Sequence, residues 1–334
     1  MNITTMMRGL QNGEGKPLLL ADEGKLEQIR NHPFYAPHVK TCREKAERFS
    51  KQDIRSIKYS YFKLFDETGD RTEFQRIYME HREMLIAFAM ACLIDGTHAA
   101  DLEDIIWAIC DEYSWCLTAH FQYGGTKVVE TLNDPPRGDG KMRPYYRKQE
   151  TMIDLCAAAT ASILAEVTAM FEDKLAPIVV YRARTLIRER VLEPFMQINT
   201  PFFWETAEFN WSAVCAGNIG IAAIYMIDDS RMLAPILSRV TDAMDCFLTG
   251  FGEDGVCQEG LGYWDYGFGN FIYFADLLRR RTDGAIDLFE NDHVRNVALF
   301  EQRSFLNGVN TISFSDCAPQ VQYEYAIAYY LKKQ

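Results

Sequence analysis

The sequence predicts an all-α fold, on three observations. Apolar residues recur at helical spacing in one segment after another. Convincing strand alternation is scarce. The composition, 48% hydrophobic with 25% charged residues, is the balance of an ordinary globular chain rather than a disordered or fibrous one. Within the 334 residues no repeat is tight enough for a standard solenoid. Helix pairs of unlike sequence, joined by loops rich in Gly and Trp, suit an incomplete α/α-toroid whose inner helices ring a central cleft. An irregular bundle or an open superhelix is the alternative. No linker divides the chain convincingly, so the expectation is a single domain over residues 1–334.

The elements follow in order. Residues 73–93 place Ile77, Met84, Leu85, Phe88, Ala91 and Cys92 on one stripe, which predicts a helix. Residues 102–117 repeat the pattern with Ile105, Ile106, Ala108, Ile109 and Cys116. The stretch 152–171 is rich in Ala and Leu, as a helix packed on both sides should be, and 175–195 follows after the short break Glu172-Asp173-Lys174. Residues 211–226 and 233–248 form a further pair, separated by Asp228-Asp229-Ser230, which supplies an N-cap. Residues 263–281, 292–305 and 321–331 complete the helices, and 127–131 and 310–314 are the short strand candidates.

Charge bounds the partners. Lys+Arg 35 against Asp+Glu 47 leaves a net charge of −12, which argues against a nucleic-acid binder, since phosphate neutralisation needs a basic surface. The loop at 124–148 departs from this balance. Its second half carries Arg137, Lys141, Arg143, Arg147 and Lys148 against Asp139, with Tyr145 and Tyr146 between them. A long loop inside a compact domain is usually functional or disordered. Basic groups beside aromatic rings suit an anionic sugar, so Arg143, Tyr146 and Arg147 are candidate substrate contacts; the alternative is a solvated loop paired with the acidic surface. Residues 1–15 lack the apolar core and cleavage site of a secretory signal, and no segment suits a membrane span. Nine scattered cysteines without a CxxC pair read as buried, reduced thiols, and a cytoplasmic location follows. The six histidines never recur at ligand spacing and HExxH is absent, so no metal and no cofactor are expected.

Two stretches carry residue types that helices do not ordinarily need. One is Phe202-Phe203-Trp204 with Glu208-Phe209-Asn210-Trp211; the other runs from Asp254-Gly255 through Glu259-Gly260 to Tyr263-Trp264-Asp265-Tyr266-Gly267. Each puts an amide or phenol beside tryptophan at the start of a predicted helix, where free amide donors and the positive dipole end can hold an anion. Tryptophans there could stack on sugar rings. The simpler role for Trp211 and Trp264 is that of core anchors, with Asn210 as an N-cap. Taken together, Asn210-Trp211-x-Ala213-Val214-Cys215 and the downstream Glu-Gly-x-x-Tyr-Trp-x-Tyr-Gly block at 259–267 resemble the heparinase II/III-like polysaccharide lyases. Asp111-Glu112-Tyr113-Ser114-Trp115-Cys116-Leu117-Thr118-Ala119-His120, Ile153-Asp154-Leu155-Cys156 and Arg184-x-x-x-Arg188-Glu189-Arg190 support the resemblance, which covers roughly residues 100–320.

That resemblance implies an N-terminal incomplete α/α-toroid followed by a β-sandwich, and β-elimination on uronic-acid polysaccharides in the cleft between them. It makes Asn210 the group that binds the uronate carboxyl and places the catalytic tyrosine at Tyr263 or Tyr266, with Tyr263 preferred and His120 a further catalytic candidate. Trp115, Trp211, Trp264 and Glu259 join them as substrate contacts. Two departures stand out. Trp211 occupies a position where many relatives have histidine, and the sequence stops at Gln334, where the β-sandwich should begin. The expectation is therefore either of a fragment or truncated homologue or of a chain whose missing half another chain supplies, so that activity of this chain alone is in question; a homo-oligomer is compatible with the sequence.

The chemistry can be weighed apart from the resemblance. Removing the C5 proton of a uronate is feasible only when its carboxylate is neutralised, and a tyrosine near positive charge can serve as both base and acid. Two alternatives remain: a toroid glycoside hydrolase using paired carboxylates from Asp254, Glu259 and Asp265, and a non-catalytic glycan-binding module.

Overall fold

The structure is a computed structural model that describes residues 1–15, 18, 22–121, 152–197, 201–323 and 325–332. The 124–148 loop, with Arg143, Tyr146 and Arg147 and the strand candidate 127–131, lies outside the described residues. The fold is all-α. Along the chain run α1 (Ile3–Asn12), α2 (Glu23–Asn31), α3 (Ala36–Phe49), α4 (Tyr59–Phe62), α5 (Leu64–Thr68), α6 (Thr72–Asp95) and α7 (Ala99–Asp111). After these come α8 (Leu155–Met170), α9 (Pro177–Ile187), α10 (Glu193–Gln197), α11 (Asn210–Met226), α12 (Ser230–Thr249) and α13 (Leu261–Arg281), then the short α14 (Asp292–Ala298), α15 (Phe300–Ser304) and α16 (Tyr325–Leu331). The only sheet among the described residues is the two-stranded antiparallel pair β1 (Phe305–Asn307) and β2 (Asn310–Thr311). The chain packs as two compact units, one of Leu19–Phe195 and the other of Met1–Leu18 with Met196–Gln334.

In the Leu19–Phe195 unit, α6 is the central element. Phe74, Ile77, Tyr78, His81, Met84, Leu85, Phe88 and Cys92 form its buried stripe, at the i, i+3, i+4 spacing of a helix face. Gly96 ends it with a left-handed φ of 69° and an amide bond to the Cys92 carbonyl, the geometry glycine provides at no steric cost. Arg43 on α3 binds both oxygens of Asp95 at 2.7 Å, which places α3 along α6. A polar knot lies in this otherwise apolar interior. Glu112, just past α7, is gripped by the Arg82 guanidinium through both oxygens, and His81 Nδ1 lies 2.8 Å from the same carboxylate. His81 Nε2 meets the Arg55 carbonyl at 2.8 Å. Both ring nitrogens thus face protein oxygens. Arg82 also lies over the Tyr78 ring at 3.4 Å, and the Tyr78 hydroxyl donates to the Trp115 carbonyl at 2.8 Å.

Two helices depart from the sequence expectation here. The predicted 102–117 helix stops at Asp111, because Glu112 leaves the helix in an extended conformation to reach Arg82 and His81. The predicted 175–195 helix is interrupted by a π-helical turn at Arg188–Leu192. Pro194 explains it. It has no N–H to give the carbonyl four residues back and crowds that turn, and the Glu193 amide reaches back five residues to Arg188 instead.

The other unit is built on α11, which packs against α12 and α13. Small residues set the closeness. A Cβ on Gly220 would lie 2.4 Å from the Phe274 ring, and one on Gly217 2.9 Å from the Met244 methyl. Phe268 and Phe271 stack at 5.4 Å, and both are buried with Phe274. The Asp229 side chain caps α12 through the Arg231 amide at 2.8 Å, as its sequence predicts. The predicted 292–305 helix is broken into α14 and α15, with Phe305 passing into β1 to pair with Thr311.

Candidate functional site

The first cluster forms where α11 and α13 begin. Phe209, the residue before α11, offers no side-chain cap, leaving the orphan amides of the first turn to an outside acceptor. Glu259 supplies it. Its carboxylate oxygens lie 3.0 and 2.9 Å from Asn210 Nδ2, and one of them 3.4 Å from the Asn210 backbone nitrogen. Asn210 is therefore the first helical residue rather than the N-cap, and its 4% exposure means that its amide meets Glu259, not open solvent. Partly exposed Glu259 is the outer member of the pair. An acid at a helix N-terminus is favoured by the dipole by about 0.3–1 kcal/mol.

Glycine explains how Glu259 gets there. Gly260 turns the chain into α13 with φ +95°, and a Cβ would lie 2.8 Å from the Cys317 Cβ. The Glu-Gly dipeptide thus aims a carboxylate at α11 and starts the next helix in two residues. Gly267 lets α13 lie hard against Asn210, since a Cβ there would sit 3.2 Å from the Asn210 Cβ. Tyr263 is four residues before Gly267 and shares its face; Tyr266, one residue before, points roughly 100° away. Of the two tyrosines, Tyr263 is the one on the helix face that carries Gly267. Among the described residues its phenol makes no hydrogen bond. Tyr266 is 40% exposed, and its carbonyl accepts from Asn270 Nδ2 at 2.8 Å.

Aromatic surface borders the pair. Phe203 and Trp211 rings lie 5.1 Å apart, and Phe203, Phe209 and Tyr266 are all exposed. The Phe203 turn is fixed from beneath. Glu205 accepts the Phe202 amide at 2.6 Å and a two-pronged bond from Arg239 on α12, at 2.6 and 2.7 Å.

Two tryptophans expected to stack on sugars are core residues instead. Trp264 is fully buried, with Nε1 donating to the Val297 carbonyl at 2.8 Å. Trp115 is buried too, with Nε1 on the Ile109 carbonyl at 3.0 Å and the Arg190 guanidinium over its ring at 4.8 Å. Neither presents a ring face to a ligand.

His120 belongs to the Leu19–Phe195 unit, on a short 3₁₀ turn, Thr118–His120. Its Nδ1 lies 2.8 Å from Asp154, a fully buried carboxylate that also accepts the Leu117 amide at 2.9 Å and, as N-cap of α8, the Ala157 amide at 2.7 Å. A buried carboxylate on Nδ1 fixes the orientation of the ring. Sequence reasoning assigns Asp154 no such role. Its one sequence signal is its place as a capping residue ahead of an Ala-rich helix, which reports helix start rather than a histidine partner. Asp254, one of the hydrolase candidates, is exposed and folds its side chain onto the Val256 amide at 3.1 Å in the turn at Gly255. Among the described residues, no group of three or more His, Cys, Asp or Glu could hold a metal, and no helix is long and apolar enough to cross a membrane. All nine cysteines are free thiols.

No family model matches the chain, and no curated protein matches it.

Proposed function

We propose that the chain is a polysaccharide-lyase-like protein that works on a uronic-acid polysaccharide or oligosaccharide by β-elimination, on an incomplete α/α-toroid. The observation that carries this reading is the Tyr263 phenol, which makes no hydrogen bond among the described residues, on the face of α13 whose Gly267 lies against Asn210, the partner of partly exposed Glu259. In this reading a uronate carboxylate takes the place of the Glu259 carboxylate on the Asn210 amide. Neutralising that carboxylate makes the C5 proton removable, and Tyr263 is the group to take it and to protonate the leaving oxygen. The hydrolase alternative has less support, since Glu259 is bound to Asn210 and Asp254 to its own turn.

The test is a panel of uronic-acid polysaccharides scored for unsaturated, ultraviolet-absorbing products. The expected outcome is product from at least one uronan, lost by a factor of about 10²–10⁴ in Tyr263→Phe, the range of a general acid–base group, and retained in Tyr266→Phe. Reducing ends without ultraviolet absorbance would point to the hydrolase. Oligosaccharide binding with no turnover would point to the non-catalytic module.

A further inference from the structure

Within the Leu19–Phe195 unit a cavity of about 530 Å³ opens beside the His81–Glu112 knot, a size in the range of small-molecule sites. Nothing in the reading above uses it. Its walls are rings and aliphatic chains: Tyr59, Phe62, Phe74 and Tyr113 with Ile54 and Ile57. Phe62 sits at their junction, edge-on to Phe74 at 5.7 Å and to Tyr113 at 5.6 Å. The wall at 54–57 lies in a segment outside the helices and strands. It is hung on α6 by the Arg55 carbonyl, bonded to His81 Nε2, and by the Arg55 guanidinium, paired with Glu80.

The charges at the cavity are already answered. Arg55 pairs with Glu80, Asp111 with Arg182, and Glu112 with Arg82 and His81. Both His81 nitrogens are spent on protein oxygens, so the ring has no N–H left for an incoming anion. A charged ligand would lose its water without gaining a counter-ion from this floor. A sugar, with a hydroxyl on nearly every carbon, would meet mostly rings and aliphatic chains, with Ser56 and Ser114 as hydroxyls of the wall and Ser114 already accepting the Cys116 amide at 3.0 Å. Aromatic walls over a charge-compensated floor match an uncharged ring compound, which gains by burying its faces edge-on or offset against other rings.

We infer that this cavity is a binding site for a small, uncharged aromatic molecule, separate in chemistry from an anionic glycan. The bound ring fills the space between Phe62, Tyr113 and the Arg55 segment, and holds that segment against α6.

Saturation-transfer NMR on the full chain, with indole as the probe, tests the assignment; benzoate and glucose serve as the anionic and sugar comparisons. Indole is expected to receive saturation and to be displaced by neither compound at equal concentration. Ala108, on α7, lines the cavity, and Ala108→Trp should fill it and weaken indole at least about tenfold. Tyr59→Ala removes one exposed wall and should weaken it less. Amide exchange of residues 54–58 should slow when indole is added. Absence of transfer, equal transfer to a folded Ala108→Trp variant, or displacement by benzoate or glucose would each overturn the proposal. If Ala108→Trp does not fold, Tyr59→Ala and the exchange of 54–58 decide it: unchanged affinity with unchanged exchange overturns it.

Discussion

Asn210 shows how far one side chain can be read before its neighbours are known. The sequence marks it twice, as a polar residue opening an apolar helix and as part of the resemblance, yet neither reading contains its partner 49 positions away, Glu259. An N-cap is a local pattern; this contact depends on Gly260 turning one helix start toward another. Asn210→Asp tests the pair directly, because it sets two carboxylates in contact at a buried position. The variant should lose roughly 1–3 kcal/mol in urea unfolding at pH 7, the cost of an unanswered buried polar group. Stability should return as pH falls toward 5, since a proton shared by two carboxyl groups restores the bond. A variant as stable as wild type at pH 7 would show that the pair is not held closed. Glu112 is the second case. Its ion pair with Arg82 is buried, with side chains 3% and 10% exposed, and Glu112→Gln leaves Arg82 without its counter-ion. The expected cost is about 3–5 kcal/mol by the same measurement. The sequence marks His120 but not its contact, for Asp154 is 34 positions downstream and looks like an ordinary cap.

Elements are most legible where burial is one-sided and local. The predicted 73–93, 211–226, 233–248 and 263–281 helices match α6, α11, α12 and α13 within a few residues, because their apolar stripes or caps are continuous. Failures have physical causes of longer range. The 102–117 pattern continues past Asp111, but the chain departs to satisfy the Arg82 knot; Pro194 opens a π turn where periodicity alone sees one helix. Before residue 73 periodicity marks no element. Helix α2 buries only Leu26 and α5 buries nothing, so no stripe betrays them. Glycine contacts give the sharpest test at this scale. Gly220→Ala would drive a methyl to 2.4 Å from the buried Phe274 ring at the α11–α13 packing, and should cost about 1–3 kcal/mol by overpacking. Gly262, near the start of α13, would have nothing within 4 Å of an added Cβ, and its φ is not left-handed. Gly262→Ala should stabilise by about 0.4–1 kcal/mol by restricting the unfolded chain. Opposite signs in thermal unfolding are expected; two losses would mean that helix α13 tolerates no change at its start.

At the scale of the whole molecule, the scattered cysteines are more informative than the net charge. The separation of basic from acidic residues that suggests a polyanion rests on 137–148, outside the described residues, whereas six of the nine thiols are buried in the two units. Burial pushes Cys110 up to about 11 and Cys257 up to about 11, and raises Cys116 and Cys156 as well. The Tyr330 phenol moves the same way, through burial and its bond to the Asp276 carboxylate. An unfolded thiol ionises near about 8.5. Below that pH both states keep their protons and the thiols leave stability unchanged. Between about 9 and 11 the unfolded chain releases protons that the native chain retains, so ionisation favours unfolding and stability falls as pH rises. Urea unfolding at pH 8, 9.5 and 10.5 should show that decline, flattening toward pH 11 for the Cys110 and Cys257 contribution. Cys110→Ala combined with Cys257→Ala should make the decline shallower, whatever the substitutions cost at pH 8. An equal slope in the double variant would place the alkaline sensitivity in lysines and tyrosines and would mean that these thiols open to solvent before the chain unfolds.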